Sequence, residues 1–184
     1  MWLALKEIKT TCSGYHPRYV GVSDEAKLIH HKYDVKDFIE YKEVDARYIP
    51  HKSQYDIICY KSMLGGIVAK GEFDTVKKVI DGIYEALKPG GILLFAENIL
   101  STYIHQIIRN RYGSGKQKWR YFTIGELIKL HGIFTSFEYQ TYGFLGCFGV
   151  SEKQRSILGR IDRAIFNKIL PERWNYILAG VAIK

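Results

Sequence analysis

Residues 87–98 read Leu-Lys-Pro-Gly-Gly-Ile-Leu-Leu-Phe-Ala-Glu-Asn, and this stretch decides the predicted fold. A helical pattern leads into it and should end there, because Pro89 cannot extend a helix and the two glycines permit positive φ in a turn. The apolar run 92–96 then predicts a buried strand that ends at Glu97 and Asn98. Ligands of open α/β sheets bind beyond the carboxyl ends of the strands, so these two polar residues are expected at a binding edge.

Segments with strand-like and helix-like patterns alternate along the rest of the chain. Strands are predicted at 19–22, 38–44, 55–60, 134–145 and 176–183. Helices are predicted at 1–10, 23–29, 73–87, 101–109, 123–130 and, as a longer element, from Ser151 onward. This alternation predicts an α/β, Rossmann-like, mainly parallel sheet with helices on both faces, and the last two strands are expected at a hairpin-like edge. At 184 residues, a single domain spanning 1–184 is expected.

Composition narrows the class of protein. The net charge of +8 and the pI near 9.3 suggest an anionic partner or surface without requiring one. The cysteines are three in number and lack zinc-site spacing, so neither a metal site nor a disulfide framework is expected. Cys59 lies in an apolar run and is expected in the core. No apolar run reaches the ~18–20 residues of a membrane-spanning helix, and the first residues do not form a secretory leader, so the expected location is the cytoplasm.

The order of these motifs resembles class I S-adenosylmethionine-dependent methyltransferases from residue 19 to the end. The 87–91 segment resembles the "LKPGG" turn of that family, and 55–64 resembles its fourth strand, "FDxVxxxxxL". The resemblance implies S-adenosylmethionine as the cofactor, methyl transfer as the reaction, and a small molecule or a glycan or lipid precursor as the acceptor.

Six residues are assigned to the cofactor by this resemblance: Ser23, Asp24, Asp45, Ala46, Tyr60 and Lys61. Ser23 or Asp24 takes the acidic slot that binds the ribose hydroxyls, unless Asp24 only caps the next helix. Asp45 and the N–H of Ala46 face the adenine edge, unless Asp45 makes an ordinary turn. Tyr60 and Lys61 end the fourth strand, where Lys61 would position an anionic substrate or the cofactor's carboxylate, or else is a solvated loop lysine.

The family's acidic-x-Gly-x-Gly loop has no match in the sequence. Gly14 is the one glycine before Gly21, and residues 1–11 correspond to the helix that should follow the loop. The first, central strand is therefore expected to be missing. Either the chain is an amino-terminally truncated fragment, which the uncapped apolar start at Met1 favours, or it is a diverged form without cofactor binding. In both cases the 184-residue chain is expected to bind S-adenosylmethionine weakly or not at all.

Glu97 and His105 are the candidate catalytic residues. A general base assists methyl transfer to a hydroxyl, and both residues are predicted at or just beyond the end of a strand. The structural alternatives are that Glu97 is a hydrogen-bond acceptor, that Asn98 caps the next helix, and that His105 is a packing or surface residue.

A basic and aromatic segment at 109–122 leaves the partner open. Its basic residues are Arg109, Arg111, Lys116, Lys118 and Arg120, interleaved with Tyr112, Trp119, Tyr121 and Phe122. Such a segment would bind an anionic small molecule, a membrane surface or, as a less favoured choice, nucleic acid, or it would form a loop without a ligand. The alternative function is thus a non-catalytic module of the same fold that binds an anionic partner through a basic face.

Overall fold

The structure is a computed structural model that describes residues 1–16, 19–20, 24–68, 73–112 and 119–184. Its contacts divide the chain into two compact units, Met1–Pro50 and His51–Lys184. The expectation of one domain over 1–184 stays a prediction. No helix in these described ranges is both long enough and apolar enough to cross a bilayer.

The first unit contains a parallel strand pair. In chain order its described elements are a 3-10 helix (Ala4–Lys6), β1 (Thr10–Ser13), β2 (Tyr15–His16), β3 (Tyr19–Val20), α1 (Asp24–Lys32), a second 3-10 helix (Lys36–Phe38) and β4 (Ile39–Lys42). β1 pairs in parallel with β4, and β2 pairs antiparallel with β3. Ala4, Val35 and Ile39 form a small buried core.

One prediction for this unit is wrong. The helix expected over 1–10 is one short turn that ends at Glu7, whose φ is 59°, and β-branched Thr10 and Thr11 then continue as a strand. The strand expected over 19–22 is present at Tyr19–Val20, whereas residues 21–22 lie outside the described residues.

The second unit carries a four-stranded mixed sheet. Its described elements are β5 (Tyr55–Lys61), α2 (Leu64–Ile67), α3 (Phe73–Ala86), β6 (Leu87–Asn98), α4 (Tyr103–Tyr112), α5 (Ile124–His131), β7 (Ser136–Tyr142), a 3-10 helix (Gly146–Phe148), α6 (Glu152–Ile161), a π-helical segment (Asp162–Phe166), α7 (Asn167–Ile169), a last 3-10 helix (Glu172–Trp174) and β8 (Ile177–Ile183). The strand order is β5-β6-β8-β7, with β5 and β6 parallel and β8 antiparallel to both of its neighbours. Helices cover both sides of the sheet. The predicted hairpin-like edge is confirmed.

The turn predicted inside 87–98 is a bulge in β6. Tyr55 pairs with Leu87 and Ile57 pairs with Ile92, so four residues of β6 lie opposite one residue of β5. Gly90 has φ of 72°, and a Cβ on Gly91 would lie 3.2 Å from the carbonyl oxygen of Tyr55. The glycines are therefore required where the chain turns from α3 into the buried part of the strand.

The core of this unit lies between α3 and the sheet. The buried residues of α3 are Val76, Val79, Ile80, Ile83 and Ala86, at helical spacing. On the sheet, Gly180 leaves room for the ring of Phe95, which would lie 2.6 Å from a Cβ at that position. Cys59 is exposed and not in the core, because β5 is the end strand of this sheet and has no buried residue. That prediction is wrong.

Candidate functional site

Glu97 ends β6 and holds the segment that follows β5. Its side chain is 2% exposed, and Oε1 accepts hydrogen bonds from the N–H groups of Met63 (2.6 Å) and Leu64 (2.8 Å). The N–H of Asn98 also donates to this carboxyl group. These contacts fix the start of α2 beside the end of β6. Glu97 is thus a positioning residue in the structure, and its catalytic role stays a prediction.

The ionisation of Glu97 reflects two opposed effects. Burial raises the pKa of Glu97 from 4.5 to about 7, whereas the three N–H donors act to lower it. A carboxyl group that titrates near neutral pH is suited to exchange a proton with a ligand. The pKa therefore keeps Glu97 among the candidate acids and bases.

The other polar residues at this edge come from the ends of β5 and β6. Asn98 Nδ2 donates to Ser62 Oγ (3.0 Å), and the chain turns at Ser62, whose φ is 50°. Lys61 is exposed and forms no ion pair within the described ranges. Its ammonium group is therefore available to an anionic group, and its assignment to the cofactor stays a prediction.

Tyr60 belongs to an aromatic stack on the sheet. The ring of Tyr60 stacks on Phe95 (5.4 Å between ring centroids), and the ring of His131 stacks on both Phe95 (4.3 Å) and Phe137 (5.0 Å). His131 Nδ1 donates to the carbonyl of Leu127 (2.7 Å), so Nε2 of the neutral ring faces the Tyr60 hydroxyl at 3.4 Å. Burial lowers the pKa of His131 to about 4 and raises the pKa of Tyr60 well above 10.0. The Tyr60 hydroxyl thus already has a partner inside the protein.

His105 is fully buried and is hydrogen-bonded through both ring nitrogens. Nε2 lies 2.8 Å from the carbonyl oxygen of Phe144, to which it donates. Nδ1 lies 2.6 Å from Thr102 Oγ1 and 3.3 Å from Ser101 Oγ, and Ser101 itself donates to the carbonyl of Trp174. Burial lowers the pKa of His105, so the neutral ring is favoured. These contacts agree with the packing alternative, and a catalytic role for His105 stays a prediction.

Asp162 fixes the chain beyond β7. Its carboxylate is 2% exposed and accepts hydrogen bonds from the N–H groups of Phe144 (3.0 Å), Leu145 (2.8 Å) and Gly146 (2.9 Å). Three N–H groups that donate to one carboxylate fix the backbone conformation of the segment that contains them. The sequence contains no motif that singles out Asp162.

Two basic residues of the segment 109–122, Arg109 and Arg120, have partners within the protein. Arg109 is 9% exposed, donates to the carbonyls of Ile99 (2.7 Å) and Tyr176 (3.0 Å), and lies 4.4 Å from the ring centroid of Tyr121. Arg120 pairs with Glu126 at 2.6 Å. Residues 113–118, with the remaining lysines, lie outside the described residues. The partner of this segment stays a prediction.

The other cofactor candidates belong to the first unit. Asp24 begins α1 and its side chain is 95% exposed, 3.4 Å from Lys27, which agrees with the helix-start alternative. Ser23 lies outside the described residues. Asp45 is held by Arg47, whose Nε and Nη2 lie 3.0 Å and 2.6 Å from its carboxylate, and these bonds lower the pKa of Asp45. Ala46 is half-buried beside this ion pair.

In the structure, the residues assigned to the cofactor are not arranged to bind S-adenosylmethionine. The Asp45 carboxylate that would face the adenine is occupied by Arg47, and the Tyr60 hydroxyl is directed at His131. Of Asp45, Tyr60 and Lys61, Lys61 is the residue whose polar group remains available to the cofactor. No step of a reaction is therefore derived through the cofactor.

A polar cleft opens at the same end of the sheet as Glu97 and Asn98. The register places Asn98 and Tyr142 on either side of Ile177, so the end of β6, the end of β7 and the start of β8 share one row. The cleft is lined by seven residues: Gln140, Thr141, Tyr142, Asn167, Leu170, Glu172 and Asn175.

Asn175 gives this cleft its hydrogen-bonding character. It is 2% exposed, and its Nδ2 donates to Thr141 Oγ1 at 2.9 Å. Its Oδ1 is buried and has no hydrogen-bond partner among the described residues. A buried oxygen without a donor is costly unless a water or a ligand supplies one. The exposed carboxylate of Glu172 adds negative charge to the cleft. The arrangement suits a small ligand that donates hydrogen bonds.

Comparison with known proteins identifies the fold. No family model and no curated protein matches the sequence. A Thermotoga maritima structure described as a SAM-dependent methyltransferase, possible histamine N-methyltransferase, is similar with a TM-score of 0.60 at 16% identity, covering 100% of this chain and 76% of that one.

Two other similar structures differ in their stated activities. Phospholethanolamine N-methyltransferase 2 of Haemonchus contortus, in complex with phosphomonomethylethanolamine and S-adenosylhomocysteine, has a TM-score of 0.53 at 14% identity, covering 86% of this chain and 40% of that one. The 4+2 cyclase SpnF has a TM-score of 0.51 at 16% identity, covering 86% and 60%. The chain has the class I S-adenosylmethionine-dependent methyltransferase fold.

Proposed function

We propose that this chain is a domain of a S-adenosylmethionine-dependent methyltransferase that binds and orients a small amine acceptor. The observation that carries the proposal is the buried Asn175 Oδ1, which has no donor among the described residues and belongs to a residue that lines a polar cleft at the carboxyl end of β6. Ligands of α/β sheets bind at this end of the strands.

The cleft favours an amine over an anionic acceptor. An ammonium group donates up to three hydrogen bonds, and Asn175 and Glu172, which both line the cleft, carry acceptor oxygens. The names of two similar structures, a possible histamine N-methyltransferase and a phospholethanolamine N-methyltransferase, also point to amine acceptors.

The test is amine binding to the 184-residue chain. Ethanolamine and ethylammonium are titrated while the side-chain amide signal of Asn175 is followed by NMR, and we expect that signal to shift. Asn175→Ala should abolish binding, whereas Asn110→Ala, an exposed position on α4, should leave it unchanged. An unchanged Asn175 signal, or equal binding by Asn175→Ala, would contradict the proposal.

A second candidate, a non-catalytic module that binds an anionic partner, is favoured by the occupied Asp45 carboxylate. The two candidate functions are separated by measuring the transfer of a labelled methyl group to the bound amine, with S-adenosylmethionine in the millimolar range. Methyl transfer that is detectable in the wild type and lost in Asn175→Ala would support a methyltransferase. Amine binding without any transfer would exclude methyl transfer to the amine by this chain, and binding of an anionic ligand instead of the amine would support the module.

A further inference from the structure

The helical stretch 152–169 exposes a row of isoleucines. Ile157, Ile161, Ile165 and Ile169 follow one another at intervals of four residues, and they are 50%, 36%, 50% and 67% exposed. Four-residue spacing places side chains on one side of a helix. This isoleucine row therefore forms an apolar line that the protein itself leaves in water.

The helix is built so that the row stays aligned. In an α-helix with 3.6 residues per turn, each four-residue step drifts by about 40°. The π-helical segment Asp162–Phe166 has wider turns and lies between Ile161 and Ile169, so it offsets part of this drift. The twelve residue steps from Ile157 to Ile169, at about 1.5 Å each, give a line of about 18 Å.

Basic side chains accompany the isoleucine row. The stretch 152–169 contains five basic and two acidic residues: Lys153, Arg155, Arg160, Arg163, Lys168, Glu152 and Asp162. Four of the basic residues, Lys153, Arg160, Arg163 and Lys168, are exposed and form no ion pair among the described residues. One acidic residue, Asp162, is buried against backbone N–H groups. The exposed surface of this helix is thus both apolar and cationic.

We propose that the helix 152–169 binds the surface of an anionic lipid bilayer, with the isoleucine row inserted at the level of the headgroups. Helices that lie in the plane of a membrane combine an apolar line with Lys and Arg beside it. Anionic headgroups complement the net charge of +3, while the isoleucines enter the acyl boundary.

The same features disfavour other partners. A second copy docking through the row would bring two cationic faces together, which repel each other. Nucleic acid would attract the basic residues but would leave the isoleucines without a role, because aliphatic side chains do not stack on bases as aromatic rings do. The proposal concerns the surface of the helix and does not depend on methyl transfer or on the cleft.

The test is co-sedimentation of the 184-residue chain with lipid vesicles. We expect binding to vesicles of phosphatidylcholine with phosphatidylserine, little binding to pure phosphatidylcholine, and weaker binding at higher salt. Ile165→Gln with Ile169→Gln should lower partitioning by more than about tenfold, since two isoleucines then cease to insert. The matched control is Ile128→Gln with Ile133→Gln, which are each 43% exposed outside this helix and should change little.

Circular dichroism is used to check that both double variants are folded, as the exposure of the replaced residues leads us to expect. Arg160→Gln with Arg163→Gln should weaken binding to the anionic vesicles while leaving the folded chain intact. Equal binding to neutral and anionic vesicles, equal loss in the control pair, or no sedimentation with either vesicle would overturn the proposal. A dimer in sedimentation velocity that Ile165→Gln with Ile169→Gln dissolves would assign the row to self-association instead.

Discussion

Glu97 and His131 are buried groups whose pKa values are shifted in opposite directions by burial. The pKa of Glu97 is raised from 4.5 to about 7, and the pKa of His131 is lowered from 6.5 to about 4. The folded state therefore holds the Glu97 proton that the unfolded chain releases above pH 4.5, and it excludes the His131 proton that the unfolded chain takes up below pH 6.5.

The two groups have opposite effects on the free energy of unfolding. The stabilisation from Glu97 is complete below pH 4.5 and is lost as the pH rises through about 7. The stabilisation from His131 is complete above pH 6.5 and is lost as the pH falls through about 4. Between about pH 5 and 7 each contribution changes by about 2 kcal/mol, with opposite sign, so the two nearly cancel in the wild type.

The perturbation is Glu97→Gln, which keeps a neutral side chain at every pH. Relative to the wild type, its free energy of unfolding should rise by about 2 kcal/mol between about pH 5 and 7, since only the Glu97 contribution is removed. For His131→Phe, the free energy of unfolding should fall by about 2 kcal/mol relative to the wild type over the same pH range. Urea unfolding, followed by tryptophan fluorescence, measures the free energy of unfolding of both variants. Subtracting the wild-type value at each pH removes the contributions of the other titrating groups. A difference between Glu97→Gln and wild type that stays flat with pH would show that Glu97 is ionised in the folded state and that its N–H donors outweigh burial.

Two further substitutions test the packing around the cleft and the sheet. Asp162→Ala leaves the N–H groups of Phe144, Leu145 and Gly146 without their acceptor, so the free energy of unfolding in urea should fall by about 3 kcal/mol. The control Asp37→Ala, at an exposed position, should change little, and equal effects would refute the role given to Asp162. Gly180→Ala places a Cβ 2.6 Å from the Phe95 ring and should lower stability by about 1–3 kcal/mol in a thermal melt, and an unchanged melting temperature would show that the stack can shift freely.

The sheet of the second unit was predictable because its signals are local. Pro89 and the two glycines end the helix, and the apolar run that follows has the length of a buried strand. The hairpin-like edge that β7 and β8 form was expected from the order of the last elements and the family resemblance, whereas the position of β8 between β6 and β7 was not predicted.

Predictions failed where the environment decides the outcome. The apolar residues of 1–10 fit a helix pattern, yet Thr10 pairs with Ile39 from a distant part of the chain, and such pairing leaves no trace in local spacing. Cys59 lies in a segment whose sequence is typical of a buried strand, but that segment is the end strand of its sheet.

The residues of the candidate site were harder to find than the fold. Glu97 was identified because it follows a clear strand, although its hydrogen bonds to Met63 and Leu64 depend on tertiary structure. Asn175 and Asp162 lie in segments without a recognisable motif, and their burial follows from how the ends of β7 and β8 meet. A polar residue just before a predicted strand was the one available signal for Asn175.

The central claim is that the fold of the methyltransferases is present here while Asp45 and Tyr60, two of the residues assigned to the cofactor, have partners within the protein. Calorimetric titration of the 184-residue chain with S-adenosylmethionine tests this claim directly. Because the Asp45 carboxylate is held by Arg47 and the sequence lacks the glycine loop, we predict weak binding or none. Micromolar affinity would contradict the account of how this chain relates to the cofactor.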